Sequence, residues 1–431
     1  AQLEQLGDNA DWKLRLDAAL AHMRLANTKA AIEILQKASD EMRAGRLKGG
    51  LDEASSIVFY LGMAYMCQAE TENCCARSTA ESCILPLRGE AIHTKTEGAT
   101  KAIPCFELVV ANRPANDYWH LSARWLLNIA HMTLGTWPDG LKEERRMPID
   151  ALQSQFPLPH FKNVASKTGM DMFAMLGGVI VDDFDGDDDL DVLLSLWSAD
   201  GAMRYFRNDG DGTFSERSRE ANLTGITSGI NMFQADYDND GDLDVVILRG
   251  AWLYNNGRHP NSLLKNRGDG SFVDASLAAG FGETAFPSSQ ADWSDIDNDG
   301  DLDLYVGNES TPKIHSPCHL FRNEGDGTFV DIASEAGVEN LGYTKGVSFG
   351  DYDGDGLADL FVSNLASENR LYHNLGGNKF ENVAPKLKME EPIASFPTWF
   401  WDYDNDGKLD LFVAAYSTGV GHVAGHHLGI K

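Results

Sequence analysis

Two rhythms of apolar residues divide this chain. Over the first 145 residues the apolar positions recur at i, i+3, i+4 and i+7, the spacing of one helix face. Residues 19–43 are helix-forming throughout. The pattern returns over 57–70, carried by Leu61, Ala64 and Tyr65, and over 123–135, carried by Leu127, Ala130, His131 and Leu134. Residues 99–112, closed by Pro114, read as the second helix of a pair. Beyond residue 161 the rhythm changes to runs of four to six apolar residues (DVLLSL, DVVIL, DLYVGN, DLFVSN, DLFVAA), which predict buried strands. The expected fold class is α+β multidomain: helical hairpins over 1–145, a linker over 146–160, and an all-β domain over 161–431.

Each apolar run is preceded by the same acidic nonapeptide. The copies are DFDGDDDLD from Asp183, DYDNDGDLD from Asp236, DIDNDGDLD from Asp295, DYDGDGLAD from Asp351 and DYDNDGKLD from Asp402. Position 1 is Asp183, Asp236, Asp295, Asp351 and Asp402. Position 3 is Asp185, Asp238, Asp297, Asp353 and Asp404, and position 5 is Asp187, Asp240, Asp299, Asp355 and Asp406. Position 9 is Asp191, Asp244, Asp303, Asp359 and Asp410. Four carboxylates within nine residues form a hard-oxygen donor set suited to Ca²⁺, about five ions in all. The main-chain carbonyl of position 7 is expected to complete the shell, so its side chain is free to vary among Asp189, Asp242, Asp301, Leu357 and Lys408. Position 6 is Gly241, Gly300, Gly356 or Gly407, which allows a sharp turn, but Asp188 in the first copy. An EF-hand is excluded, because position 12 is Leu194, Ile247, Val306, Val362 or Val413 rather than an acid. Solvated acidic turns are the plain alternative for any one loop, but five copies with one spacing favour the ion cage.

First aspartates are 53, 59, 56 and 51 residues apart, a period that signals a propeller or related array. In phase with them run YFRNDGDGTF, LLKNRGDGSF, LFRNEGDGTF and LYHNLGGNKF, each a strand, an Asn-Gly-type turn and a Phe. A fourth strand is expected after Phe214, Phe272, Phe329 and Phe380. Residues 161–165 match that fourth strand without a preceding hairpin, and the fifth repeat lacks its third and fourth strands.

These residues resemble the FG-GAP/VCBS repeats of integrin α-like propellers, particularly the cartilage-acidic-protein-like branch, over about 161–431. The resemblance implies a calcium-stabilised, extracellular, non-enzymatic propeller of usually seven blades, of which five are recognisable here. The helical segments look like tetratricopeptide (TPR) repeats, which implies either a partner-binding groove or a cap on the propeller.

Composition narrows the function. The net charge of −29 opposes nucleic acid and anionic membranes as partners, and 20 of the 65 acids (five loops of four) stand at positions 1, 3, 5 and 9 of the loops. No apolar stretch is long enough to span a membrane. Ala1-Gln2 suits the start left by a secretory signal peptidase, which predicts a secreted, extracellular, periplasmic or cell-surface protein. Over 67–105, Cys67, Cys74, Cys75, Cys83 and Cys105 predict a disulfide-pinned insertion, with Cys74, Cys75, Cys83 and His93 as an alternative metal set and free thiols as a third reading. Cys318 stands apart. His422, His426 and His427 lie in a glycine-rich stretch that reads as a loop, because Gly421 and Gly425 oppose a helix. Asn222 and Asn308 open glycosylation sequons. No nucleophile, phosphate loop or acid/base pair stands out. The expected function is an extracellular calcium-binding interaction or adhesion protein with a protein partner or self-association. The alternatives are a subunit of an extracellular filament and a Cys/His metalloenzyme.

Overall fold

The computed structural model describes residues 11–77, 79, 81, 82, 84–148, 152, 161–172, 176–197, 201–281, 285–416 and 419–430. It divides into two compact units, Ala1–Asn163 with Ser417–Lys431, and Val164–Tyr416.

The first unit is helical. Helices Trp12–Arg24, Thr28–Arg43, Leu51–Glu72, Glu97–Asn112 and Tyr118–Thr133 follow in order, each packed on the next. They enclose a core of Leu35, Ile57, Leu61, Phe106 and Leu127. The segment 19–43 is two helices rather than one. Ala26 takes a left-handed φ of 56°, and Asn27 caps the second helix by accepting the Ala30 N–H. The insertion is pinned by an asparagine: Asn73 Oδ1 accepts the Thr94 and Lys95 N–H groups, and its Nδ2 donates to the Ala69 and Lys95 carbonyls. Cys67, Cys75, Cys105 and the buried Cys318 are free thiols, contrary to a fully disulfide-pinned insertion. Cys74 Sγ lies 3.2 Å from His93 Nε2, while Cys83 lies outside the described residues.

The expected loop over 421–427 is instead part of a helix, Val420–His427, packed on Tyr118–Thr133. Its small residues make the contact. A Cβ on Gly421 would lie 2.6 Å from the Tyr118 carbonyl oxygen and 2.7 Å from Ser122 Oγ. Tertiary packing here overrides a poor helix propensity, because only glycine permits so close an approach. His422 meets Tyr118 edge-on, and His427 stacks on Trp125.

The second unit is a series of antiparallel sheets. The first is β1 (Leu176–Asp182), β2 (Asp191–Leu196), β3 (Arg204–Asn208) and β4 (Phe214–Glu216), and the second is β5 (Asn231–Ala235), β6 (Asp244–Leu248), β7 (Ser262–Asn266) and β8 (Phe272–Asp274). The third is β9 (Ser288–Ser294), β10 (Asp303–Asn308), β11 (His319–Asn323) and β12 (Phe329–Asp331), and the fourth is β13 (Thr344–Gly350), β14 (Asp359–Asn364), β15 (Arg370–Asn374) and β16 (Phe380–Asn382). β17 (Ser395–Trp401) and β18 (Asp410–Ala415) form a two-stranded sheet among the described residues. Within each four-stranded sheet, spatial order follows chain order. The first strands of successive sheets lie side by side, β1 by β5, β5 by β9, β9 by β13 and β13 by β17. Apolar cores fill the spaces between sheets, as where Tyr237 and Val246 meet Leu304 and Val306.

Residues 161–164 form no strand, and the helical turn Ala165–Thr168 follows. The same turn follows the fourth strand in later repeats, at Ala333–Ala336 and Ala384–Leu387. A three-residue fourth strand exists only where a third strand pairs with it, as β12 does with β11. Residues 153–160 lie outside the described residues.

Candidate metal-binding loops

All five nonapeptides connect the first strand of a sheet to the second, and position 9 is the first residue of that second strand. The loops fold on their own backbone. The position 1 carboxylate accepts the N–H groups of positions 5 and 6, as Asp236 does from Asp240 (3.0 Å) and Gly241 (2.9 Å), and Asp402 does from Asp406 and Gly407. The position 5 carboxylate accepts the N–H of position 7, at 3.1 Å for Asp240 and Asp242 and 2.9 Å for Asp406 and Lys408. Two residues of each loop adopt left-handed φ. Position 6 is expected to, and Asp188 joins the glycines there at 68°. Position 4 does so as well, through Gly186, Asn239, Asn298, Gly354 and Asn405. That requirement is written in the sequence as a column of only Gly and Asn, the residues that enter this region most readily.

Three of the four expected carboxylates come together in each of four loops. Oxygens of Asp183, Asp185 and Asp191 lie within 4.8 Å of one another, as do those of Asp236, Asp238 and Asp244, of Asp295, Asp297 and Asp299, and of Asp351, Asp353 and Asp359. Position 9 is fully or almost fully buried in the first four loops, whereas Asp410 is exposed. Each buried position 9 carboxylate accepts two main-chain N–H groups. For Asp303 the donors are Ile296 (3.0 Å) and Asn323 (2.8 Å), so it ties the loop to the end of the third strand. Burial pushes Asp244 and Asp303 up to about 7, and it raises Asp359 and Asp185 as well.

The chemistry of position 3 is different. The buried Oδ1 atoms of Asp185, Asp238 and Asp297 have no hydrogen-bond donor among the described residues. Buried acceptors beside other carboxylates fit a hard cation, which supplies the missing electrostatic partner. Basic side chains also approach. Lys265 Nζ contacts Asp238 and lies 3.0 Å from Asp240, Arg207 is 3.9 Å from Asp185, and His373 Nδ1 is 3.0 Å from Asp359. All three precede the asparagine that ends a third strand.

Those asparagines cross between sheets. Asn266 Nδ2 donates to the Phe184 carbonyl (3.0 Å), Asn323 to Tyr237 (2.7 Å) and Asn374 to Ile296 (2.9 Å), each at position 2 of the preceding loop. Position 4 crosses in the other direction. Asn239 Nδ2 donates to Asp301 at 2.8 Å, and Asn298 Nδ2 to the Gly356 carbonyl at 3.1 Å. The side chain at position 7 is therefore not idle in the third loop. Of the two sequons, Asn222 is exposed. Asn308 is fully buried, with Nδ2 donating to the Pro317 carbonyl, so it offers no glycan attachment point.

Serial four-stranded sheets, each opened by an Asp-rich loop of fixed spacing and laced to the next by asparagine, define an acidic-loop sheet-repeat protein. The FG-GAP-like repeat pattern matches residues 183–247, 251–306, 311–362 and 351–413, more than half of the chain, and the chain belongs to that family. Cartilage acidic protein 1 of Homo sapiens is 36% identical over 115 residues, covering 26% of this chain and 16% of that protein. Its Xenopus tropicalis counterpart is 35% identical over 122 residues, covering 27% and 18%. The chain thus spans less than a fifth of the length of these relatives. The crystal structure of the V. cholerae biofilm matrix protein Bap1 overlaps 56% of this chain and 35% of that one, with 16% identity and a TM-score of 0.34. That likeness carries no functional weight.

Proposed function

We propose that the sheet unit is a calcium-stabilised β-propeller, with five blades of an array of about seven, in a secreted or surface-exposed interaction protein. In each loop the carboxylates at positions 1, 3, 5 and 9 and the carbonyl of position 7 would hold one Ca²⁺. The ion would give the position 3 Oδ1 atoms the partner that no hydrogen-bond donor supplies; the chain's own residues pre-shape the loop and carry the effect into the sheets through position 9. The donor-less oxygens of Asp185, Asp238 and Asp297 carry this reading. The relatives named for cartilage and acidity support the extracellular setting, and the chain's charge of −29 agrees with that acidity. The helical hairpins would add a TPR-like partner surface.

The test is thermal melting in millimolar calcium and in EGTA, with metal content by mass spectrometry. Each site saturated at a hundredfold excess over Kd adds about 2.7 kcal/mol to the folded state. Asp240→Ala and Asp299→Ala are expected to lower the calcium-saturated Tm and reduce bound calcium by one ion each. Identical melting in calcium and chelator would refute the proposal.

A second reading, a subunit of an extracellular assembly, is favoured by one observation. Among the described residues the two-stranded sheet β17–β18 exposes Trp399, Trp401 and Phe412, each more than 40% accessible, and clustered exposed apolar side chains invite association. Polymers that form in calcium and dissolve in EGTA would support it, and a monomer by light scattering in calcium would count against it.

A further inference from the structure

The nonapeptide loops sit where second strands begin; a cavity lies where they end. It occupies about 990 Å³ within the sheet unit, between the segments that follow β6, β10 and β14 and the segment leading into β13. Trp252, Tyr254 and Tyr343 contribute aromatic rings, Thr311 a hydroxyl, Lys313 a cationic group and His315 an imidazole. Tyr254 is 57% exposed, so a ring face is open to a ligand. Among the described residues no Asp or Glu lines the cavity, in a chain with 65 acids against 36 bases. Lys313 and His315 are exposed, and Lys313 forms no ion pair among the described residues.

The aromatic wall is built rather than incidental. Trp252 and Tyr254 hold left-handed φ of 66° and 49°, and Ala366 on the opposite side holds 66°. Large side chains enter that region only when their surroundings impose it, and such residues gather at ligand sites. At Trp252 the imposing group is a buried ion pair. Glu309 and Lys345, at 1% and 2% side-chain exposure, bond to each other. Glu309 also accepts the Trp252 N–H at 2.8 Å, and Lys345 Nζ sits 3.4 Å from the centre of the Trp252 ring and 4.4 Å from that of Tyr343. The pair spends its charge on fixing two aromatic rings, which pre-organises the wall.

We propose that this cavity binds an anionic saccharide, a chain of sugar rings carrying carboxylates. Fixed aromatic faces accept the C–H faces of pyranose rings, short hydroxyl and amide side chains match sugar hydroxyls, and the Lys313 ammonium, on a rim without acids among the described residues, selects negative charge. The volume accommodates an oligosaccharide rather than one ring. Nucleic acid is disfavoured by the field of the whole molecule. The site supplies a ligand for the interaction role proposed above but does not rest on the aspartate loops binding calcium.

The experiment is calorimetric titration of the full chain, in millimolar calcium, with oligogalacturonate, with neutral cello-oligosaccharide and with polyglutamate. Oligogalacturonate is expected to bind. Tyr254→Ala and Lys313→Ala should each weaken it by about tenfold, while Arg219→Ala, outside the cavity, leaves it unchanged. The calcium-induced Tm shift, read on the same samples, should be intact in all three variants, which separates this test from that of the loops. Absence of oligogalacturonate binding overturns the proposal, as does binding indifferent to Tyr254 and Lys313. Equal binding of the neutral sugar removes the anionic selectivity, and equal binding of polyglutamate overturns the saccharide class.

Discussion

The asparagine that ends each third strand does more than turn a hairpin. In the sequence it stands before a glycine-rich turn, and hairpin chemistry accounts for it locally. Its real acceptor lies far along the chain: Asn323 reaches a carbonyl 86 residues earlier, and Asn374 one 78 residues earlier. No local pattern contains that information, whereas the repeated column of asparagines does mark the position. Replacing Asn323 by Ala leaves the buried Tyr237 carbonyl without this donor, at a cost of about 1–3 kcal/mol. Asn208→Ala should cost less, because the Asn208 amide donates to the exposed Leu190 carbonyl of its own sheet. Urea denaturation of the two variants, at fixed calcium, measures the difference. The aspartates were legible for the opposite reason, since loop ligands are close in sequence and their spacing is their geometry.

At the scale of elements, the second strands were read correctly because β6, β10 and β14 are buried on both faces and therefore appear as unbroken apolar runs. The helix Val420–His427 was not legible, because two glycines lower its propensity and its partner lies about 300 residues away. The structure gives those glycines opposite tolerances. A Cβ at Gly425 would meet its nearest neighbours at 3.4 Å, against 2.6 Å at Gly421. Gly425→Ala is thus expected to be neutral or to stabilise by up to about 1 kcal/mol. Gly421→Leu overpacks the contact with Tyr118 and should destabilise by about 1–3 kcal/mol. Hydrogen exchange over 420–427 reads both: protection retained in the first variant, lost in the second.

At the scale of the molecule, calcium is expected to address the sheets alone, whereas protons also address the helices through two buried histidines. Burial lowers the affinity of His93 and His131 for protons below the ordinary imidazole value. The unfolded chain then binds more protons than the folded one as pH drops past about 6.5. The stability of the helical unit is therefore full at neutral pH and declines through the mildly acidic range. Circular dichroism melts between pH 7.5 and 5 should show this decline, and His131→Gln should flatten it. Composition and repeat spacing revealed both chapters of this chain, the helical and the sheet-forming. They did not reveal which chapter the last residues join, because joining depends on surface fit and not on rhythm.

That last contact changes what a protease cut would do. The peptide bearing Val420–His427 is held by the surface of Tyr118–Thr133, not by the strand that precedes it. A single scission just after Tyr416 would sever the covalent path yet leave this tail moored, so gel electrophoresis would report two pieces where size exclusion reports one particle.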